Sequence, residues 1–151
     1  MIELKSIIME KISPILARKQ HHFNSILSGC TLKDALSKMN CENSCYLIVV
    51  DNDDHFLGLL TEHEIAGKGM LNKKMADKIS VDELMNRNLP VASSDDTVED
   101  CMKLMCQHHI SQVPVFDEHT FKGIISVDDL LQEVMLMRNE VFDDDREVAI
   151  F

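Results

Sequence analysis

Tryptophan is missing from this chain, and tyrosine occurs once. Strong aromatic stacking of a ligand is therefore not expected. No apolar run reaches the ~20 residues that span a bilayer. The start, Met1-Ile2-Glu3-Leu4-Lys5, carries charges where a secretory signal needs an apolar stretch. Positive charge is scarce: 15 Lys and Arg stand against 26 Asp and Glu, a formal net charge of −11. Such a chain repels nucleic-acid backbones and anionic membrane surfaces, so neither is an expected partner. There is no G-x-S-x-G, no Walker A and no H-E-x-x-H, which leaves catalysis without a recognisable motif. Five cysteines, an odd number, fit a reducing cytoplasm better than a disulfide scaffold. Cys41 and Cys45, or Cys101 and Cys106 with His108 and His109, match no paired zinc spacing. Asp51-Asn-Asp-Asp54 opens like a calcium loop but lacks its glycine and final glutamate. No metal is expected.

What is present is apolar residues, 45% of 151, enough for a sizeable core in one compact domain. The charge is uneven. Residues 1–22 are net +2, residues 23–137 net −10 and residues 138–151 net −3. A phosphate-bearing ligand would need local cations or helix N-termini to offset the acidic body.

The chain repeats itself. Thr31-Leu-Lys-Asp-Ala-Leu-Ser-Lys-Met39 aligns with Thr97-Val-Glu-Asp-Cys-Met-Lys-Leu-Met105 at an offset of 66. The same offset pairs Leu47-Ile-Val-Val-Asp51 with Val113-Pro-Val-Phe-Asp117. After one residue is lost in a turn, an offset of 65 pairs Phe56-Leu-Gly-Leu-Leu-Thr-Glu-His-Glu-Ile65 with Phe121-Lys-Gly-Ile-Ile-Ser-Val-Asp-Asp-Leu130. Each unit reads as a short strand (25–27; 91–93), then a helix opened by a Thr cap. Leu32, Ala35, Leu36 and Met39 recur at helical spacing in one helix, and Val98, Cys101, Met102 and Met105 in the other. Two strands (46–50 and 56–60; 113–116 and 121–125) and a second helix (61–71; 126–137) follow. The order β-α-β-β-α, twice, predicts an α/β (α+β) fold. Two small units each bury a sheet face only against something else. The simplest arrangement packs them on each other about a pseudo-twofold axis, with a ligand cleft beside each.

The expected organisation is an N-terminal helical segment over 1–22, a first repeat over 23–72, a linker over 73–79, a second repeat over 80–137 and an acidic tail over 138–151. In the first segment, Ile2, Leu4, Ile7, Ile8, Met9, Ile12, Ile15 and Leu16 are too many apolar residues for a free tail, so docking is expected, with Ser13-Pro14 as a helix restart. Ser80-Val-Asp-Glu83 is a capping box leading a short helix into the second unit. The helices over 61–71 and 126–137 carry more apolar residues than one internal face uses, which predicts a homodimer.

The second unit carries Asn88-Leu-Pro-Val-Ala-Ser-Ser-Asp-Asp-Thr-Val-Glu-Asp100, His109-Ile-Ser-Gln-Val-Pro-Val-Phe-Asp117 and Gly123-Ile-Ile-Ser-Val-Asp-Asp-Leu130. With these motifs the chain, over about residues 23–137, resembles a tandem pair of CBS domains, named after cystathionine β-synthase. The first unit departs in two places, with Ile48 where the family often has Pro and Glu64 where it often has Asp. The resemblance implies a regulatory module that binds AMP, ADP, ATP, S-adenosylmethionine or a related adenosyl ligand, dimerises, and signals to a regulated protein whose identity the sequence does not give. The alternative is a CBS-like dimerisation or interaction module without a ligand.

By position, the resemblance assigns phosphate contact to Ser126 and Thr61, and ribose contact to Asp129 and Glu64. It assigns the adenine walls to Val91, Ala92, Val113, Pro114 and Ile124 in the second unit, and to Ser25, Ile26, Leu47, Ile48 and Leu59 in the first. A carboxylate suits two hydroxyl donors, and free N–H groups at a helix start suit phosphate. The plain reading stands beside this one. Ser/Thr-x-x-Asp/Glu is also a capping box, and the chain has five: Thr31/Asp34, Thr61/Glu64, Ser80/Glu83, Thr97/Asp100 and Ser126/Asp129. The wall residues are equally ordinary core positions. Candidate phosphate cations near the second turn are Lys122, His108 and His109, with Gln112 beside them. Near the first they are His63, Lys68, Lys73 and Lys74.

Overall fold

The computed structural model describes residues 9–19 and 23–137. Instead of one compact domain, the chain forms two units: residues 22–89 make one, and the N-terminal segment joins residues from 90 onward in the other.

In the first unit, β1 (Ser25–Leu27) runs parallel to β2 (Tyr46–Val50), and β2 pairs antiparallel with β3 (Phe56–Thr61). The β-branched run Ile48-Val-Val50 suits the centre of the sheet. Between β1 and β2 lies α2 (Leu32–Glu42), started by the Thr31/Asp34 capping box and stopped by Asn43 in the left-handed region. Its buried stripe is Leu32, Ala35 and Met39, while Leu36, placed on the same face by spacing alone, is half exposed. After β3, α3 (Glu62–Glu64) passes into a π-helical turn, Ile65–Gly69, where the sequence pattern predicts a continuous α-helix.

The second unit repeats the plan. Helix α5 (Val98–His108) starts at the Thr97/Asp100 box and ends at His109, again left-handed. Strands β4 (Gln112–Asp117) and β5 (Thr120–Ser126) form a hairpin with a register shift at Val115/Phe116, matching the shift at Val49/Val50 in the first unit. The predicted strand over 91–93 reduces to one parallel bridge, Ala92 to Val115. A closing helix, α6, spans 127–137.

Each unit is completed by the chain segment that precedes the other. Helix α1 (Ser13–Arg18), with Pro14 in its first turn, lies in the second unit, where Ile12, Ile15 and Leu16 join Val98, Cys101, Met105, Val113 and Ile125 in one core. Docking of the N-terminal segment is therefore realised for residues 12–16. Met9 is 63% exposed, and Ile2, Leu4, Ile7 and Ile8 lie outside the described residues, as does the acidic tail. The capping box at Ser80 forms as expected and starts α4 (Val81–Leu84), but this helix packs in the first unit. Ile79, Val81, Leu84 and Met85 join the core of Ile26, Ala35, Leu47, Val49 and Leu60. The two arms are laid down alike. Backbone bonds Leu32 N–H to Ile79 O and Val81 N–H to Cys30 O in one unit correspond respectively to Val98 N–H to Glu10 O and Ile12 N–H to Asp96 O in the other. No helix among the described residues is long and apolar enough to cross a membrane.

Candidate ligand-binding site

Ser126 closes β5 and caps α6. Its N–H donates to Asp129 Oδ2 at 2.8 Å, and the Asp129 N–H donates back to Ser126 Oγ at 3.1 Å. The capping reading of this pair is thus realised, as it is at the other four boxes. The Asp129 carboxylate does more than cap. Lys19, at the end of α1, donates to Asp129 Oδ2 at 2.7 Å and to the Ile124 carbonyl at 2.8 Å. Arg18 pairs with Glu133 one turn further along α6. Both side chains of the Lys19–Asp129 pair are just over four-fifths covered, so water screens it less than a fully exposed pair.

The matching turn in the first unit is closed on itself. The Thr61 N–H donates to Glu64 Oε2 at 3.0 Å, the Thr61 hydroxyl donates to the same oxygen, and the His63 N–H donates to Thr61 Oγ1 at 3.2 Å. Both side chains are buried. The longer glutamate reaches back to the cap hydroxyl. The carbonyl equivalent to Ile124, that of Leu59, accepts the Asn86 N–H at 2.8 Å, and Asn86 O accepts the Leu59 N–H at 3.0 Å.

The predicted wall residues divide between two faces of each sheet. Ile26 and Leu47 in the first unit, and Ala92 and Val113 in the second, lie in the cores with the helices. Strand alternation turns the next positions to the opposite face. There Ser25, Ile48 and Leu59 form one cross-strand row, and Pro114 pairs with Ile124 in the equivalent row. Val91 precedes the Ala92 bridge and is 55% exposed. So the rows that end next to the two capped turns are Ser25–Ile48–Leu59 and Pro114–Ile124. Ile26, Leu47, Ala92 and Val113 are packed in the cores.

Among the cations proposed from sequence, Lys122 acts at Asp117, whose carboxyl is held below its ordinary range chiefly by hydrogen bonds from Ser94. His109 is the left-handed cap of α5, and Gln112 sits opposite Ser126 in the β4–β5 register. The cation that stands at the second turn is Lys19, which a search close in sequence to Ser126 misses. A signal for it existed. Aligning Lys11-Ile-Ser-Pro-Ile-Leu16 with Ser80-Val-Asp-Glu-Leu-Met85 marks the N-terminal segment as a second copy of the arm that contacts a sheet edge.

Asp51, Asp53 and His55 are the one group of His, Cys, Asp or Glu among the described residues with ligand atoms within 4.8 Å of one another. Asp51 Oδ1 accepts the N–H groups of Asp53 and His55, both at 2.9 Å, which ties a tight turn.

The sequence pattern of the CBS domain matches residues 19–69 and again 81–136. The chain belongs to the CBS-domain family. The CBS domain-containing protein YhcV of Bacillus subtilis is 30% identical over 110 residues, covering 73% of this chain and 76% of its own length. A crystal structure of a CBS domain has a TM-score of 0.78 at 28% identity, over 84% of this chain and 99% of the other. A CBS domain pair solved with 5′-methylthioadenosine and S-adenosyl-L-methionine has a TM-score of 0.65 at 25% identity, over 82% of this chain and 94% of that one. Enzymes that match are much longer. This CBS pair spans 27% of the length of a homoserine O-acetyltransferase from Methanococcus vannielii. The likeness to such enzymes is a likeness to their CBS part.

Proposed function

We propose that this CBS pair is a regulatory, non-catalytic module that binds an adenine nucleotide or related adenosyl ligand and passes its occupancy to a partner protein in a reducing cytoplasm. The observation that carries the reading is the turn at Ser126. A partly open carboxylate, Asp129, and a helix N-terminus stand at the end of the apolar Pro114–Ile124 row. The carboxylate suits a ribose diol, the N–H groups suit phosphate, and the row suits an adenine face. A CBS pair solved with two adenosyl compounds supports the ligand class. The buried Thr61/Glu64 turn makes the first repeat the weaker site. Calorimetry with AMP, ADP, ATP and S-adenosylmethionine tests this. Asp129→Ala should weaken binding by about 1–3 kcal/mol, the cost of leaving hydroxyl groups unpaired, while Glu64→Ala should change it less. Binding that survives Asp129→Ala and is abolished by Glu64→Ala reverses the assignment.

A second reading, a dimerisation module without a ligand, has its own observation. The two repeats leave equivalent apolar residues exposed: Leu36 and Met102, Met70 and Met135, Leu71 and Leu136. A face uncovered twice at the same positions suits a second copy of the chain. Sedimentation equilibrium should give twice the chain mass, and a single-chain mass at micromolar concentration overturns the homodimer. A dimer that binds none of the four ligands favours this second reading.

A further inference from the structure

Resting on the nucleotide reading of the second repeat, we propose that Lys19 sets its charge preference, selecting phosphorylated nucleosides over neutral or cationic adenosyl compounds. Three observations converge. First, the Lys19 ammonium and the Ser126 N–H donate to the same oxygen, Asp129 Oδ2, at 2.7 and 2.8 Å. The ammonium therefore stands within two hydrogen-bond lengths of the turn assigned to phosphate. Second, the Ile124 carbonyl, at 2.8 Å, fixes the ammonium from the other side, on the apolar row assigned to adenine. Third, the body of the chain is strongly acidic, and an unpaired Asp129 would add repulsion where an anion has to sit. Pairing with Lys19 removes that repulsion and puts an ammonium donor within the few ångströms over which such charges act.

The first repeat lacks this device. Its equivalent carbonyl is met by the neutral Asn86 N–H, and its carboxylate is closed onto Thr61. Charge selection is therefore a property of the second repeat alone. For a ligand with a sulfonium centre, such as S-adenosylmethionine, the Lys19 ammonium is a like charge and opposes binding.

The test is calorimetry on the full chain with AMP, ATP, adenosine and S-adenosylmethionine, for the parent, K19M and K19R. In K19M, AMP affinity relative to adenosine should fall about ten- to hundredfold, the worth of a hydrogen bond to a charged group. S-adenosylmethionine should bind as well as before or better, and K19R should keep the parent preference. The salt dependence of AMP binding should flatten in K19M. The AMP-to-adenosine ratio is measured within one protein, so a small loss of fold stability in K19M does not disturb it. An unchanged ratio in K19M overturns the inference while leaving the nucleotide reading in place. Tighter binding of all four ligands to K19M also overturns it, showing Lys19 to be a plug on Asp129. If neither parent nor variants bind any of the four, the nucleotide reading itself falls, and this inference with it.

Discussion

The two repeats solve one problem in two ways. Each hairpin has an outer edge met by an arm from outside its own strand-helix-strand-strand run. In the first repeat the arm turns extended at Met85, and Asn86 pairs with Leu59 through two backbone hydrogen bonds. In the second, the arm stays helical to Arg18, and a lysine side chain reaches the equivalent carbonyl. A backbone pair is neutral and locked into the fold. A side-chain ammonium carries a charge, which a charged ligand senses. Repetition of a fold does not repeat its electrostatics, and the repeat that looks better matched to its family is also the one given a cation.

The crossed arms make the largest prediction. Ile15→Ala and Leu84→Ala, at equivalent buried positions, should each destabilise by about 2–5 kcal/mol in urea unfolding. Amide exchange should speed up over 90–137 for the first variant and over 23–89 for the second. If both variants loosen both repeats equally, the arms are not private to their units.

Smaller effects come from the paired glycines. Gly58 is required by close approach, because a Cβ there would stand 2.9 Å from Met85 Sδ and 3.0 Å from Asn86 O. Gly123, its counterpart, sits at φ 150°. Gly58→Ala and Gly123→Ala should each cost about 1–3 kcal/mol, by overpacking and by backbone strain respectively. Adding Met85→Ala should relieve part of the first cost in a double-mutant cycle, whereas Leu16→Ala should not relieve the second.

The helix caps should behave alike in both repeats. Thr31→Ala and Thr97→Ala should each cost about 0.5–2 kcal/mol. Their partners Asp34 and Asp100 are held below the ordinary carboxylate range first by the N–H of the cap residue, as Glu83 is by that of Ser80. Burial works to raise Asp82, yet hydrogen bonds from Ser28, Gly29 and Ser80 leave it lowered too. A carboxyl lowered by folding stabilises above its unfolded pKa, and that contribution is lost as pH falls through the folded value. Melting temperature should therefore drop as pH falls below about 4, with neither repeat spared. A melting temperature that is flat down to pH 3 contradicts the cap bonds.

The last prediction changes no stability. Cys101 occupies the position of Ala35, and burial pushes its thiol up to about 12. In the native protein, exposed Cys41, Cys45 and Cys106 should react with a thiol reagent, while Cys101 waits for unfolding.

Much of this was legible in the chain. The 66-residue offset gave the units, the Thr caps gave α2 and α5, and β-branched runs around turn residues gave the hairpins. Several features lay beyond a linear reading. The stripe Ile12, Ile15, Leu16 announces that it is buried but not against which sheet, and the same holds for Val81 and Leu84. The π-turn leaves no mark in a pattern that changes register by one residue over a single turn. A capping box is visible in Thr61/Glu64, but its burial is set by neighbours far along the chain. Lys19 escaped because charge is long-range in sequence and short-range in space, with 110 positions separating it from Asp129.

That separation also orders events during synthesis. The arm at 79–86 emerges soon after the sheet edge at Leu59 that it covers. The arm that ends at Lys19 is made well before its sheet, for Ile124 and Asp129 follow 105 and 110 residues later. At cellular elongation rates that is a delay on the order of 5–20 s. For that interval Ile12, Ile15 and Leu16 have no core to enter, and the nascent chain carries an apolar stripe of the kind that chaperones shield. The first repeat is able to close behind it, while the second cannot be completed until its earliest-made residues have been kept out of trouble long enough to return.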